Sequence, residues 1–147
     1  MLDEKVAGRL PVLGESMPSL EVKENAVTVG RDELPALLRA LKEDPELAFN
    51  YLTNLTATDL GDRITVVYHL VSFIYGYQLT VGCDIPRDDP RIPSVMEIYR
   101  GADWQERETY DLLGVIFEGR DLARILLHDG FEGYPLRKDF TWAGGRD

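Results

Sequence analysis

The densest run of chemically capable side chains is Glu106-Arg107-Glu108, with Asp111 close behind. On a helix, Arg107 and Asp111 are neighbours at i,i+4, while Glu106 and Glu108 point in different directions. Glu108 and Asp111 are close enough to act as a carboxylate pair for acid–base work. Such a pair needs a cleft and a shifted pKa, and the residues by themselves show neither. Ion pairing inside the fold or across an interface accounts for the same cluster with fewer requirements. His69 and His128 are too far apart to form a metal signature, and each reads as a satisfied structural histidine. No serine or cysteine sits in a nucleophile motif, and neither dinucleotide-binding nor Walker glycine spacing occurs. Met96, Trp104, Tyr110 and Phe117 read as core or interface rather than as a flavin site.

Composition narrows the partners. The chain carries 26 acidic and 16 basic residues, a formal net charge of −10. Nucleic-acid binding draws most of its affinity from cationic side chains, and adsorption to anionic lipid does the same, so both are disfavoured. An acidic surface suits solvation, or a complementary basic partner. Cys83 is the sole cysteine, which excludes an internal disulfide and any single-chain iron–sulfur or cysteine-type zinc site, and a reducing compartment is expected. The Met1–Arg9 stretch shows no signal-peptide pattern. The most apolar stretch, Ile64 to Val81, is interrupted by His69, Ser72, Gln78 and Thr80 and falls short of a membrane span.

The 147 residues suit one core, and the elements can be placed along them. Residues flanking Glu24-Asn25 predict a small hairpin. Asp32 is expected to cap a helix whose Leu34, Leu37, Leu38 and Leu41 recur at helical spacing, with a stop before Pro45. Phe49 to Thr58, Ile64 to Ser72 and Tyr77 to Cys83 predict three strands in an antiparallel meander. In the first, Phe49, Tyr51, Thr53, Leu55 and Ala57 should share a face. The leucine stripe should cover one face of this sheet. The proline-rich loop Pro86 to Pro93 should be extended. Ser94 is expected to cap a short helix ending at Gly101. Asp103 should then start a second helix, with Glu106 completing a capping box and an end near Gly114. Residues 117–147 read as an irregular C-terminal docking segment, set apart from a domain over 1–116.

Three motifs in order carry a resemblance: Val66-Val67-Tyr68-His69-Leu70, then Asp88-Asp89-Pro90-Arg91-Ile92-Pro93-Ser94-Val95, then Ala102 through Gly114 with its Glu106-Arg107-Glu108 block. The ending Asp129-Gly130-Phe131-Glu132-Gly133-Tyr134-Pro135-Leu136-Arg137-Lys138-Asp139-Phe140 extends it. Together they resemble the 30 kDa (C-type) subunit family of NADH-quinone oxidoreductase, respiratory complex I. The chain departs from the family at Gly119-Arg120-Asp121-Leu122, where Gly-His-Pro-Asp-Leu is usual, and at Tyr134, where histidine is common.

The resemblance implies an α+β fold of two layers, a mainly antiparallel sheet with helices on one face and an extended C-terminal tail. It implies no flavin, iron–sulfur cluster or nucleotide on this chain. It implies a place in the peripheral arm at the cytoplasmic face of the membrane, against the large (D-like) quinone-site subunit and neighbouring iron–sulfur subunits, with the membrane reached only through the complex. Electrons pass from NADH to quinone in that complex, coupled to ion translocation. Expected partner-contact residues are Glu106, Arg107, Glu108, Asp111, Phe131, Tyr134, Arg137, Lys138, Asp139 and Phe140. Related subunits serve membrane-bound nickel–iron hydrogenases and ferredoxin- or F420-linked complexes. A small independent acid–base enzyme using Glu108 and Asp111 is the reading from another class.

Overall fold

The computed structural model describes residues 3–24, 26–120 and 133–137. The chain opens on helix α1 (Glu4–Leu13), followed by β1 (Glu21–Val22), β2 (Ala26–Thr28) and helix α2 (Leu34–Glu43). Three long strands follow, β3 (Tyr51–Asp59), β4 (Arg63–Val71) and β5 (Gln78–Pro86). The remaining elements are β6 (Arg91–Pro93), helix α3 (Ala102–Leu113) and β7 (Ile116–Glu118). The five-stranded sheet has the order β1-β2-β5-β4-β3, antiparallel except where β2 runs parallel to β5. A second, two-stranded sheet pairs β6 with β7 in parallel. This is the α+β architecture the sequence implied.

The core lies on one face of the large sheet, and its register is that of the apolar alternation. Ile64, Val66, Tyr68 and Leu70 of β4 stand opposite Ile85, Cys83, Val81 and Leu79 of β5. All eight are buried, and they form one cluster with Leu34, Leu37, Leu38 and Leu41 of α2. The opposite face carries Thr65, Val67, His69 and Val71, which are half-buried. A one-residue slip between β4 and β5 would exchange these two sets, so burial itself holds the register.

β3 departs from simple alternation. Leu52 pairs with Leu70 and Leu55 with Tyr68, so a bulge occurs between Leu52 and Asn54. The extra residue shifts the phase of the strand. Leu55 and Ala57 therefore keep the core face expected of them, but Tyr51 and Thr53 are turned outward and Leu52 takes the buried position. Phe49 is buried ahead of the strand, where its carbonyl accepts the Tyr99 hydroxyl at 2.6 Å.

Several local expectations are corrected. Asp3 opens a first helix by accepting from Lys5 N, and Val6 and Leu10 at i,i+4 bury its inner side. That helix is hard to read in sequence, because Gly8 and Pro11 mask the short stripe. Asp32 does not cap α2. Pro35 would occupy the third helical position from such a cap and offers no N–H to it. Glu33 is the cap residue instead, and its carboxylate accepts from the backbone N–H and the hydroxyl of Ser19. After Ser94 there are turns closed on the Val95 carbonyl rather than a helix. The segment expected to be irregular from residue 117 begins inside β7, where Phe117 pairs with Ile92 and is buried.

Arg9 joins the two early helices. Its guanidinium donates twice to Asp44, at 3.1 and 2.7 Å, just beyond the end of α2. Asp44 is itself nearly buried, so α1 supplies the charge that its carboxylate requires.

Leu38 has no exposed surface. Leu38→Ala should lower stability by about 2–5 kcal/mol, read as a fall in the urea midpoint at unchanged m. An unchanged midpoint would place α2 outside the core. Tyr68 gives the reverse case, since its buried hydroxyl has no hydrogen-bond partner among the described residues. Burial pushes its pKa well above the ordinary tyrosine value. Tyr68→Phe should leave the midpoint unchanged or raise stability by about 1 kcal/mol. A clear loss would mean that the hydroxyl is bonded.

Candidate functional site

Helix α3 connects the parallel strands β6 and β7, and this crossover sets the charged cluster in place. Glu106 has no exposed surface. Its carboxylate accepts from Ser94 Oγ at 2.6 Å, from Val95 N at 2.8 Å and from Arg120 Nη1 at 3.3 Å. The expected capping box is thus replaced. Glu106 reaches across to the chain leaving β6, not back to its own helix terminus, and Gly101 is the cap residue without a side-chain bond. Burial raises the pKa of Glu106, against the lowering pull of Ser94, Val95 N and Arg120.

Arg120 completes the cluster from beyond β7. Its side chain is 3% exposed, and Nη2 lies 2.6 Å from Asp103 Oδ1 while Nη1 donates to the Asp103 carbonyl at 3.1 Å. Arg107 also turns to Asp103, at 3.0 Å and i,i+4, rather than forward to Asp111 as the helical spacing suggested. The two guanidiniums, Arg120 before Arg107, hold the Asp103 carboxyl below the usual carboxylate range. The sequence points to Glu106 and Arg107 as site residues but not to Arg120, Asp103 or Ser94. The Asp103–Arg107 spacing is legible along the chain, whereas the meeting of Ser94, Glu106 and Arg120 needs the crossover.

The remaining expected residues separate. Asp111 is fully buried, whereas Glu108 is half-exposed and accepts from the indole of Trp104. Tyr134 and Arg137 lie on the C-terminal end of α3. Arg137 Nε donates to the Leu113 carbonyl at 2.6 Å, and its guanidinium stands 5.2 Å from the Tyr134 ring. Leu136 N donates to the Leu112 carbonyl at 2.9 Å, and the Tyr134 and Tyr110 rings are 6.2 Å apart. A cation and an N–H donor thus meet carbonyls that the helix end leaves unpaired. Gly114 makes the approach feasible. It is left-handed at φ 77°, and a Cβ there would lie 2.8 Å from the Tyr134 ring. Phe131, Lys138, Asp139, Phe140 and His128 lie outside the described residues.

Metal and thiol chemistry finds little footing here. Among the described residues no group of three or more His, Cys, Asp or Glu is placed to hold a metal ion. Burial pushes the Cys83 thiol up to about 12, which keeps it protonated and unreactive at neutral pH. His69 Nδ1 lies 3.2 Å from Thr80 Oγ1 across the β4–β5 pair, a structural bond. No helix among the described residues is long and apolar enough to cross a membrane.

The fold and its charged helix define an α+β domain whose central ionic cluster ties its own elements together. The chain belongs to the family described as respiratory-chain NADH dehydrogenase, 30 Kd subunit, whose model matches residues 27–146. The C subunit of the NADH-quinone oxidoreductase of Moorella thermoacetica is 45% identical over 84% of this chain and 86% of that protein. The protein of the same name from Saccharopolyspora erythraea is 39% identical over 90% of this chain. This chain spans only 56% of that protein's length. Among solved structures, a chain of the membrane-bound sulfane sulfur reductase, an archaeal respiratory membrane complex, superposes with a TM-score of 0.73 at 30% identity. That match covers 95% of this chain and 88% of the other. The trypsin-resistant fragment of Nqo5 superposes with a TM-score of 0.66 at 29% identity, over 80% of this chain and 99% of the fragment.

Removing one partner of a buried ionic cluster strands the others, so Glu106→Ala should cost about 3 kcal/mol or more. The pH response is the sharper test. A raised carboxyl pKa means the native state holds a proton that the unfolded state has released. The stability from protonated Glu106 is therefore complete below about pH 4.3 and declines as pH rises through the higher folded value. Glu106→Gln should flatten that decline in denaturation series from about pH 4 upward. An identical slope in the variant would assign the pH dependence to another group.

Proposed function

We propose that this chain is a structural component of the peripheral arm of an NADH:quinone oxidoreductase, seated at the cytoplasmic face of the membrane by its partners. In that role it scaffolds the large quinone-site subunit, beside neighbouring iron–sulfur subunits, while electrons pass from NADH to quinone with coupled ion translocation. The redox centres belong to the partners. The observation that carries the reading is the 45% identity to a protein named as the C subunit of such an enzyme, matched over 86% of that protein's own length.

The surface of α3 and the segment after β7 supply the docking residues in this reading. Trp104 is 55% exposed beside Glu108, an aromatic anchor of the kind enriched at interface hot spots. The stretch from 130 to 140 offers Phe131, Tyr134, Arg137, Lys138, Asp139 and Phe140. Tyr134 and Arg137 already rest on α3, so the partner meets a segment whose middle is held by this domain. Glu106, Arg107 and Asp111 then support the helix that the partner reads.

A second reading is favoured by the likeness to a chain of the sulfane sulfur reductase complex. The same domain would then sit in a respiratory relative, such as a nickel–iron hydrogenase or a ferredoxin- or F420-linked complex. A shared scaffold without redox centres of its own can serve different electron donors, because the donor is set by other subunits.

Affinity purification of the tagged chain from detergent-solubilised membranes of its own cells tests both readings. The expected preparation contains flavin and iron–sulfur subunits and reduces quinone with NADH. Recovery of the chain alone would refute the scaffold role. Recovery with subunits that accept electrons from ferredoxin or hydrogen, but not NADH, would select the second reading.

A further inference from the structure

The longest contiguous apolar exposure on the described surface is at the β4–β5 turn, far along the chain from α3. Phe73, Ile74 and Tyr75 are 66%, 69% and 44% exposed in succession. Tyr51, 49% exposed, joins them, its ring 5.1 Å from that of Phe73. Other large exposed apolar residues, such as Val12 and Leu60, stand apart from this patch in sequence.

The turn is held rigidly while it presents these side chains. Phe73 N donates to Asn50 Oδ1 at 3.1 Å, and Gly76 N donates to the Ser72 carbonyl at 2.7 Å. The Tyr75 hydroxyl donates to the Pro45 carbonyl at 2.7 Å. A fixed apolar ridge loses little conformational entropy when covered, which is the preorganisation a docking surface needs.

Tyr51 also borders a cleft of about 460 Å³ with Lys42, Asn50, Glu97 and Arg100. Arg100 is exposed and its side chain makes no ion pair or hydrogen bond among the described residues, and Lys42 Nζ donates to the Ile98 carbonyl at 2.6 Å. Two cations against the single carboxylate of Glu97 leave the cleft positive on a chain of net charge −10. A lipid surface fits this region poorly. No lysine or arginine occurs from Ile64 to Pro86, the two cations of the neighbouring cleft are few for a membrane wedge, and the overall charge of −10 opposes an anionic bilayer. A protein surface fits both halves, with an apolar recess for the ridge and a carboxylate for Arg100.

We propose that the Phe73-Ile74-Tyr75 ridge, with Tyr51 and the Lys42/Arg100 cleft, is a second docking surface, for a protein partner presenting an apolar recess bordered by a carboxylate. The proposal rests on the reading that the chain works inside an assembly. It adds the β4–β5 turn and the chain just ahead of α3 to the contact residues on α3 and in the C-terminal segment.

The test uses the full tagged chain expressed in its own cells. Phe73→Ser combined with Ile74→Ser should lower recovery of partner subunits tenfold or more, Arg100→Glu should lower it severalfold, and the control Val12→Ser should leave it unchanged. Should the double variant lower the thermal midpoint of the purified chain, Ile74→Ser alone replaces it, and it too should reduce recovery. A photo-crosslinking side chain introduced in place of Phe73 should attach to a polypeptide of the complex. Unchanged recovery with the ridge variants overturns the proposal, as does a crosslink to lipid. If the unaltered chain recovers no partner at all, the assembly reading has failed, a result distinguishable from failure of the ridge alone.

Discussion

A carboxylate with no exposed surface is unfavourable unless donors surround it, and Glu106 is such a group in the middle of α3. Its needs organise the half of the molecule that follows the meander. Ser94 and Val95 must turn toward it as they leave β6, and Arg120 must return to it after β7. Those two requirements place β6 and β7 side by side, with Ser94 N also bonded to the Glu118 carbonyl. Asp103 then shares Arg120 from one turn earlier in the helix. One buried acid therefore connects the chain leaving β6, helix α3 and the chain beyond β7, alongside the β6–β7 pairing itself.

The other half rests on apolar burial, and the two halves meet through β3. This edge strand lies against α3, where Leu55 N donates to Gln105 Oε1 at 2.5 Å. A bulge lies near Thr53 in this strand. It turns Leu52 and Leu55 together into the core while the strand's edge remains available to the helix. At the far end of β3, the buried Asp59 receives two bonds of 2.9 Å from Arg87, fixing the loop that leads into β6. A buried acidic group at an element end, bonded to an arginine from elsewhere in the chain, recurs as a means of joining layers. Arg9 with Asp44 is a second instance.

These pairings bear on where an acidic chain keeps its charge. Arg9, Arg87 and Arg120 are engaged internally with buried acids, so the net negative charge is carried by the surface rather than by the core. Against that background the positive cleft of Lys42 and Arg100 and the aromatic positions Trp104 and Phe73 are local exceptions. Large apolar side chains left exposed in contiguous patches are the kind of surface that a partner covers.

The sequence alone determined the meander, the leucine helix and its stop before Pro45, the end of α3 at Gly114, and the family through its ordered motifs. These are local properties: apolar period, a proline's missing N–H, a glycine free to be left-handed. Tertiary structure decided what depends on residues distant in the chain. It placed β2 parallel to β5 on one edge of the meander, with α3 lying against the other edge strand, β3. It moved Tyr51 and Thr53 outward, because a bulge leaves no mark in composition. It also took Glu106 from an expected cap and made it a buried centre. Capping boxes and buried acids look alike along the chain, and only the arrival of Ser94, 12 residues before it, and Arg120, 14 residues after it, tells them apart.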